Sequence, residues 1–150
     1  MHDRIEKRVE IAAPRSKVWR ALTDFRQFGE WFLVRLDGPF VAGQPNGGQI
    51  THPGYEHVRL EIVVDQINPE TNFSYRWHPY SVGPAADYAH EEPTLVEFLL
   101  EETSGGTLLL VTESGFDRIP AERRAEAYRM NDGGWAQQMK NIESYVTRTT

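Results

Sequence analysis

Hydrophobic positions toward the C-terminal end of the chain recur in steps of three and four. Ala121, Ala125, Tyr128, Asp132, Trp135, Met139, Ile142 and Val146 follow one another at this spacing, which sets them along one side of an α-helix. Asp132 is the single acidic member of the row. Locally, Asn131-Asp132-Gly133-Gly134 has the form of a stop signal, and each glycine costs a helix interior about 1 kcal/mol against alanine. The row keeps its phase across these four residues, so the pattern predicts one helix over 120–150 with a weak or kinked point at the glycine pair.

At the other end, Ile5, Val9 and Ile11 alternate with Glu6, Arg8 and Glu10, the period of a half-buried strand over 3–12. Pro14 suits the first position of a helix, where its missing N–H does no harm, and Val18, Leu22 and Phe25 give that helix its apolar stripe. Residues 24–32 continue as a second short helix or turn, in a segment carrying Trp19, Phe25, Phe28, Trp31 and Phe32. Strand patterns then run over 33–37, 47–52, 57–68, 72–78, 94–103 and 107–116, separated by clusters of glycine, proline and asparagine. Strands joined by short turns pair antiparallel. The order β, α, α, six β, α describes a single α+β domain over 1–150.

The Ser104-Gly105-Gly106-Thr107 turn suggests a register. With the two glycines as central residues of a primed hairpin turn, paired residue numbers sum to 211. Val96, Phe98, Leu100, Leu109 and Val111 then share one face, and Glu113 falls on it opposite Phe98. Residues 79–93 form a long stretch without pattern, the length of a lid or of a surface excursion packing Tyr80 and Tyr88.

Composition narrows the function classes. The chain has 150 residues, 39% of them hydrophobic, no cysteine and a formal net charge of −6. This acidity disfavours nucleic acid and anionic membrane surfaces. Without cysteine there is no disulfide framework, thiolate nucleophile or thiolate zinc site. The charged N-terminal residues resemble no signal peptide and no run of about 18 apolar residues appears, so a cytoplasmic protein is expected. The five histidines match no strong ligand spacing, and neither a phosphate loop nor a nucleophile elbow is present. No metal or cofactor is expected.

Three stretches carry a resemblance. Ile11-Ala12-Ala13-Pro14 with Val18-Trp19-Arg20-Ala21-Leu22-Thr23-Asp24 and Trp31-Phe32 is similar to the opening strand and first helices of the START and birch-pollen-allergen (SRPBCC) superfamily. Gly106-Thr107-Leu108-Leu109-Leu110-Val111 with Glu113-Ser114-Gly115-Phe116 is similar to its last hairpin, and Gly134-Trp135 with Asn141-Ile142 and Tyr145 to its final helix. The branch most resembled is that of homologues of the activator of the heat-shock-protein-90 ATPase, common as single-domain bacterial proteins. The resemblance implies a helix-grip fold, in which a curved antiparallel sheet wraps a long C-terminal helix and leaves a cavity between them.

On that fold, the expected ligand-lining residues are Tyr75, Trp77, Val96, Phe98, Val111, Tyr128, Trp135 and Met139, with Glu113 and Asp132 as carboxylates on otherwise apolar surfaces. A buried carboxylate needs partners. Glu113 could pair with Arg59 or Arg76, and Asp132 could cap a helical segment restarting at Gly133; alternatively, either could orient a ligand or act as acid or base. The leading expectation is a cofactor-free domain that binds a small, largely hydrophobic or amphipathic molecule. A co-chaperone-like module with a protein partner is the alternative, and a cyclase- or dehydrase-type enzyme using these carboxylates is a third.

Overall fold

The structure, a computed structural model, describes residues 4–79 and 91–148. Strand β1 spans Arg4–Ile11 and is followed by helices α1, Arg15–Thr23, and α2, Phe25–Phe32. Strands β2 (Val34–Leu36), β3 (Pro45–Ile50), β4 (Arg59–Asn68), β5 (Asn72–Trp77), β6 (Thr94–Thr103) and β7 (Gly106–Ser114) come next. A short 3-10 turn at Phe116–Arg118 leads into helix α3, Ala121–Arg148. The strands form one antiparallel sheet in the order β1-β7-β6-β5-β4-β3-β2, so the first strand joins the last and α3 returns to pack chiefly on β1 and α2. Most of the 79–93 stretch lies outside the described residues.

Local chemistry explains the early helices. Pro14 is the residue before α1, in extended conformation, one position earlier than the sequence pattern suggests. Asp24 caps α2 by accepting from the backbone N–H groups of Arg26 and Gln27. The Trp31 indole donates to the Ala21 carbonyl at 2.7 Å, locking α2 against α1. The core is strongly aromatic: Phe28, Phe40, Phe73, Phe98 and Trp135 form a run of ring contacts from α2 through the sheet to α3.

The hairpin register differs from the expected one. Thr103 pairs with Gly106 and Phe98 with Val111, making paired numbers sum to 209 and Ser104-Gly105 the turn. Gly106 belongs to the strand, at φ +149, with no room for a Cβ against the Ile11 carbonyl. Because the shift is two residues and strands have period two, the face assignment survives: Val96, Phe98, Leu100, Leu109, Val111 and Glu113 are all buried. Glu113 lies opposite Val96 rather than Phe98.

Helix α3 runs unbroken through Asn131-Asp132-Gly133-Gly134. Its buried residues are Ala127, Trp135, Met139, Ile142, Tyr145 and Val146, whereas Ala121 and Ala125 are exposed and Asp132 is half-exposed. The predicted row fits the C-terminal half and fails in the N-terminal half. A strict seven-residue row drifts about 20° per heptad on a straight helix, so two heptads before Trp135 it has left the buried face. Counting back from Trp135 in fours instead gives Asn131 and Ala127.

Candidate functional site

Glu113 on β7 is completely buried, and the structure surrounds it with neutral donors. Its Oε1 accepts from the Trp135 indole at 2.8 Å and from Asn131 Nδ2 at 2.9 Å. Its Oε2 accepts from the Trp77 indole at 2.8 Å, the Thr94 hydroxyl at 2.6 Å and, more distantly, Asn131 Nδ2 at 3.2 Å. The strand register prepares this arrangement, since Trp77 pairs with Thr94 and Val96 with Glu113. One carboxylate thereby ties β5, β6, β7 and α3 together.

The expected cationic partners are corrected. Arg59 pairs with Asp37, and Arg76 is exposed on a strand position adjacent to inward-facing Tyr75 and Trp77. Indole and amide N–H groups can only donate, so these contacts serve the oxygens of a carboxylate directly. The cost of burying it is offset by hydrogen bonds rather than by an ion pair.

Beside this group lies Tyr75, also fully buried, whose hydroxyl has no hydrogen-bond partner among the described residues. Burial, reinforced by the charge of Glu113, pushes its phenol well above the usual range. Tyr75 packs edge-on to Trp77 with centroids 5.2 Å apart, and Trp77 in turn lies 5.8 Å from Trp135.

The ten residues expected to line a cavity separate into three groups. Tyr75, Val96, Phe98, Val111, Glu113 and Met139 are buried in the packed interior. Trp77 and Trp135 reach open space. Tyr128 and Asp132 sit at the side of α3 that meets β1, where Tyr128 donates to the Arg4 carbonyl at 3.0 Å and Asp132 lies 3.0 Å from the Lys7 ammonium. Asp132 thus makes a surface clasp between helix α3 and strand β1, not a polar point inside the domain.

Open volume lies instead between α3, the end of α2 and the β3–β4 half of the sheet. A lobe of about 290 Å³ is walled by Phe32, Ile50, Leu60 and Trp77, with His52, His78, Asn131 and Gln138 among its polar members. A second lobe of about 510 Å³ shares Phe32, His52, Trp77, Asn131 and Gln138 with the first and extends along Gly134 and Asn141. Pairing of β4 with β5 stops at Val63 and Arg76, which leaves Arg59–Ile62 paired only with β3 and opens the sheet beside Trp77. A larger cleft of about 810 Å³ lies across that opening, but Asp37, Arg59, Glu61 and Arg76 make its wall charged. The smaller lobes have the aromatic wall and convergent polar groups of small-molecule sites.

Sequence reasoning missed Asn131, Thr94, Phe32, Gln138 and His52 as members of this region. Helical spacing back from Trp135 at 3.6 residues per turn would have found Asn131. The same spacing forward from Trp135 reaches Gln138, while Thr94, Phe32 and His52 come together through strand pairing, the end of α2 and the loop after β3, which no local pattern encodes.

A curved, seven-stranded antiparallel sheet gripping a C-terminal helix, with an open cleft beside a buried carboxylate, is a helix-grip α+β domain. The chain belongs to the family described as Activator of Hsp90 ATPase homolog 1-like protein, whose model matches residues 12–147. Protein MLL2253 from Mesorhizobium loti shares the fold at TM-score 0.76 and 26% identity, over 98% of each chain. DynU16, a protein in the dynemicin biosynthetic locus, is similar at TM-score 0.75 and 24% identity, over 98% of this chain and 48% of that one. The Aha1 dimer from Colwellia psychrerythraea is similar at TM-score 0.68 and 18% identity, over 95% of each chain. No curated protein matches the sequence. Among the described residues no helix is long and apolar enough to cross a membrane.

Proposed function

We propose that this domain binds a small amphipathic molecule, largely apolar, in the cleft between α3 and the β3–β4 half of the sheet. The observation that carries this reading is the contrast between two regions. Around Glu113 the interior is filled with close-packed side chains, whereas next to it Phe32, Trp77, Asn131 and Gln138 face open volume on both lobes. The lobe volumes suit a ligand of one to three rings, given that small-molecule sites span roughly 300–1,000 Å³. Glu113 has both oxygens occupied by donors, so in this arrangement it positions Trp77, Asn131 and Trp135 rather than exchanging protons with a molecule in the cleft.

The test is a thermal-shift and calorimetric screen of aromatic and polycyclic compounds against the wild type and a Gln138→Trp variant. Gln138 is half-buried on α3, and a tryptophan there fills the cleft while leaving the core untouched. Saturable binding to the wild type that disappears in a variant of unchanged melting temperature is the expected result. Equal binding by both proteins, or none by the wild type, would sink the reading.

A further inference from the structure

Asn131, like Trp77, both hydrogen-bonds the buried carboxylate and lines both lobes of the cleft. Its Nδ2 lies 2.9 Å and 3.2 Å from the two Glu113 oxygens, and those oxygens are also the targets of two indole N–H groups and a hydroxyl. Such a cluster of acceptor atoms fixes which end of the amide faces it. The amide nitrogen turns inward and Oδ1 turns outward. Asn131 lines both lobes of the cleft, and among the described residues no donor reaches its Oδ1. The neighbouring amide is differently committed, because Gln138 Oε1 accepts from Asn141 at 2.9 Å and its Nε2 points to the Phe32 carbonyl at 3.4 Å.

We infer that the cleft selects planar aromatic molecules carrying a neutral hydroxyl, with that hydroxyl donating to Asn131 Oδ1 and the ring lying against Phe32 and Trp77. The inference rests on the cleft being the ligand site. Ring selection follows from Phe32 and Trp77, whose centroids are 6.1 Å apart at an interplanar angle of 54°, a wall of two inclined faces. Donor selection follows from Oδ1, since a ligand without a donor leaves that acceptor covered and unpaired. Anions are excluded by the same geometry: a carboxylate would meet the Oδ1 dipole with the Glu113 charge behind it. Arg59 on the same wall has its guanidinium engaged by Asp37, so it does not reverse this preference.

The experiment compares 2-naphthol, 2-methoxynaphthalene, naphthalene and 2-naphthoate by calorimetry and tryptophan fluorescence, with wild type and Asn131→Leu. In the wild type, 2-naphthol binds about tenfold more tightly than its methyl ether, the worth of one net hydrogen bond, and 2-naphthoate binds weakest. In Asn131→Leu the naphthol preference disappears while the ether keeps its affinity. Should loss of a Glu113 donor leave that variant unfolded, Asn131→Lys keeps an N–H donor toward Glu113 and carries no acceptor; the naphthol preference over the ether disappears in it too. Equal affinity of the naphthol and its ether in the wild type overturns the inference and leaves the cleft standing. A preference that survives in both variants overturns the assignment to Asn131. Failure of all four compounds to bind overturns the cleft reading and the inference with it.

Discussion

The indole nitrogen of Trp135 lies 2.8 Å from Oε1 of Glu113, a contact between side chains that are 3% and 0% exposed. It joins the middle of α3 to the last strand at a point water does not reach. The remaining donors from Trp77, Thr94 and Asn131 make the carboxylate a shared acceptor for two neighbouring strands and a helix. Such a network is costly to leave half satisfied.

Glu113→Gln is therefore expected to destabilise the fold despite being nearly isosteric. The glutamine retains one acceptor and turns an NH₂ group toward either the Trp135 or the Trp77 indole, each of which can only donate. An unpaired buried donor costs about 1–3 kcal/mol. Urea denaturation should show this loss as a lower midpoint with an unchanged slope. An unaltered midpoint would mean that the four donors contribute nothing net.

Gly133→Ala should do the reverse. The sequence marks Gly133-Gly134 as a break, but α3 passes through both, both are exposed, and a Cβ at either meets nothing within 4 Å. The glycines therefore contribute only their conformational entropy, and alanine at 133 should stabilise by about 1 kcal/mol. Gly134 lines one lobe of the cleft, so Gly133 gives the cleaner measurement. Thermal denaturation checks it, and destabilisation would show that the helix needs to bend there.

Much of the fold was legible because its signals are periodic. Alternation gave β1, and turn residues separated the six later strands, whose observed ranges lie close to those expected. Even the misplaced turn at Ser104-Gly105 left the inward set intact, as a two-residue slip does not exchange faces. The site was less legible. Glu113 stood out as a carboxylate in an apolar row, but its partners lie 18 to 36 residues away in sequence, on strands whose pairing decides proximity. Asp132 was drawn inward by a heptad count, whereas the 3.6-residue turn places Asn131 there and leaves Asp132 beside Lys7.

Asp132→Asn is accordingly expected to have little effect. Its partner Lys7 and Asp132 itself have side chains 30% and 43% exposed, and exposed pairs contribute about 0–1 kcal/mol. The midpoint should fall slightly, the fall should shrink in high salt, and ligand affinity in the cleft should not change. A large loss of affinity in this variant would return Asp132 to the site.

Alkaline pH should expose the two buried phenols. Tyr145 is pushed up to about 12, first by burial and then by its hydrogen bond to, and the charge of, Glu30; Tyr75 is raised by burial and by Glu113. An unfolded chain releases these protons near the usual phenol value of about 10, while the folded chain holds them. Between about pH 10 and 12 the unfolded state thus binds fewer protons than the folded one, and stability falls as pH rises. Below that window the contribution is fully present. Phenolate absorbance should show the Tyr75 and Tyr145 signals appearing only as the fold is lost. In Tyr145→Phe the decline in denaturation midpoint above pH 10 should be shallower than in the wild type. Ionisation of Tyr75 and Tyr145 near pH 10, with the fold intact, would contradict the packing of both residues.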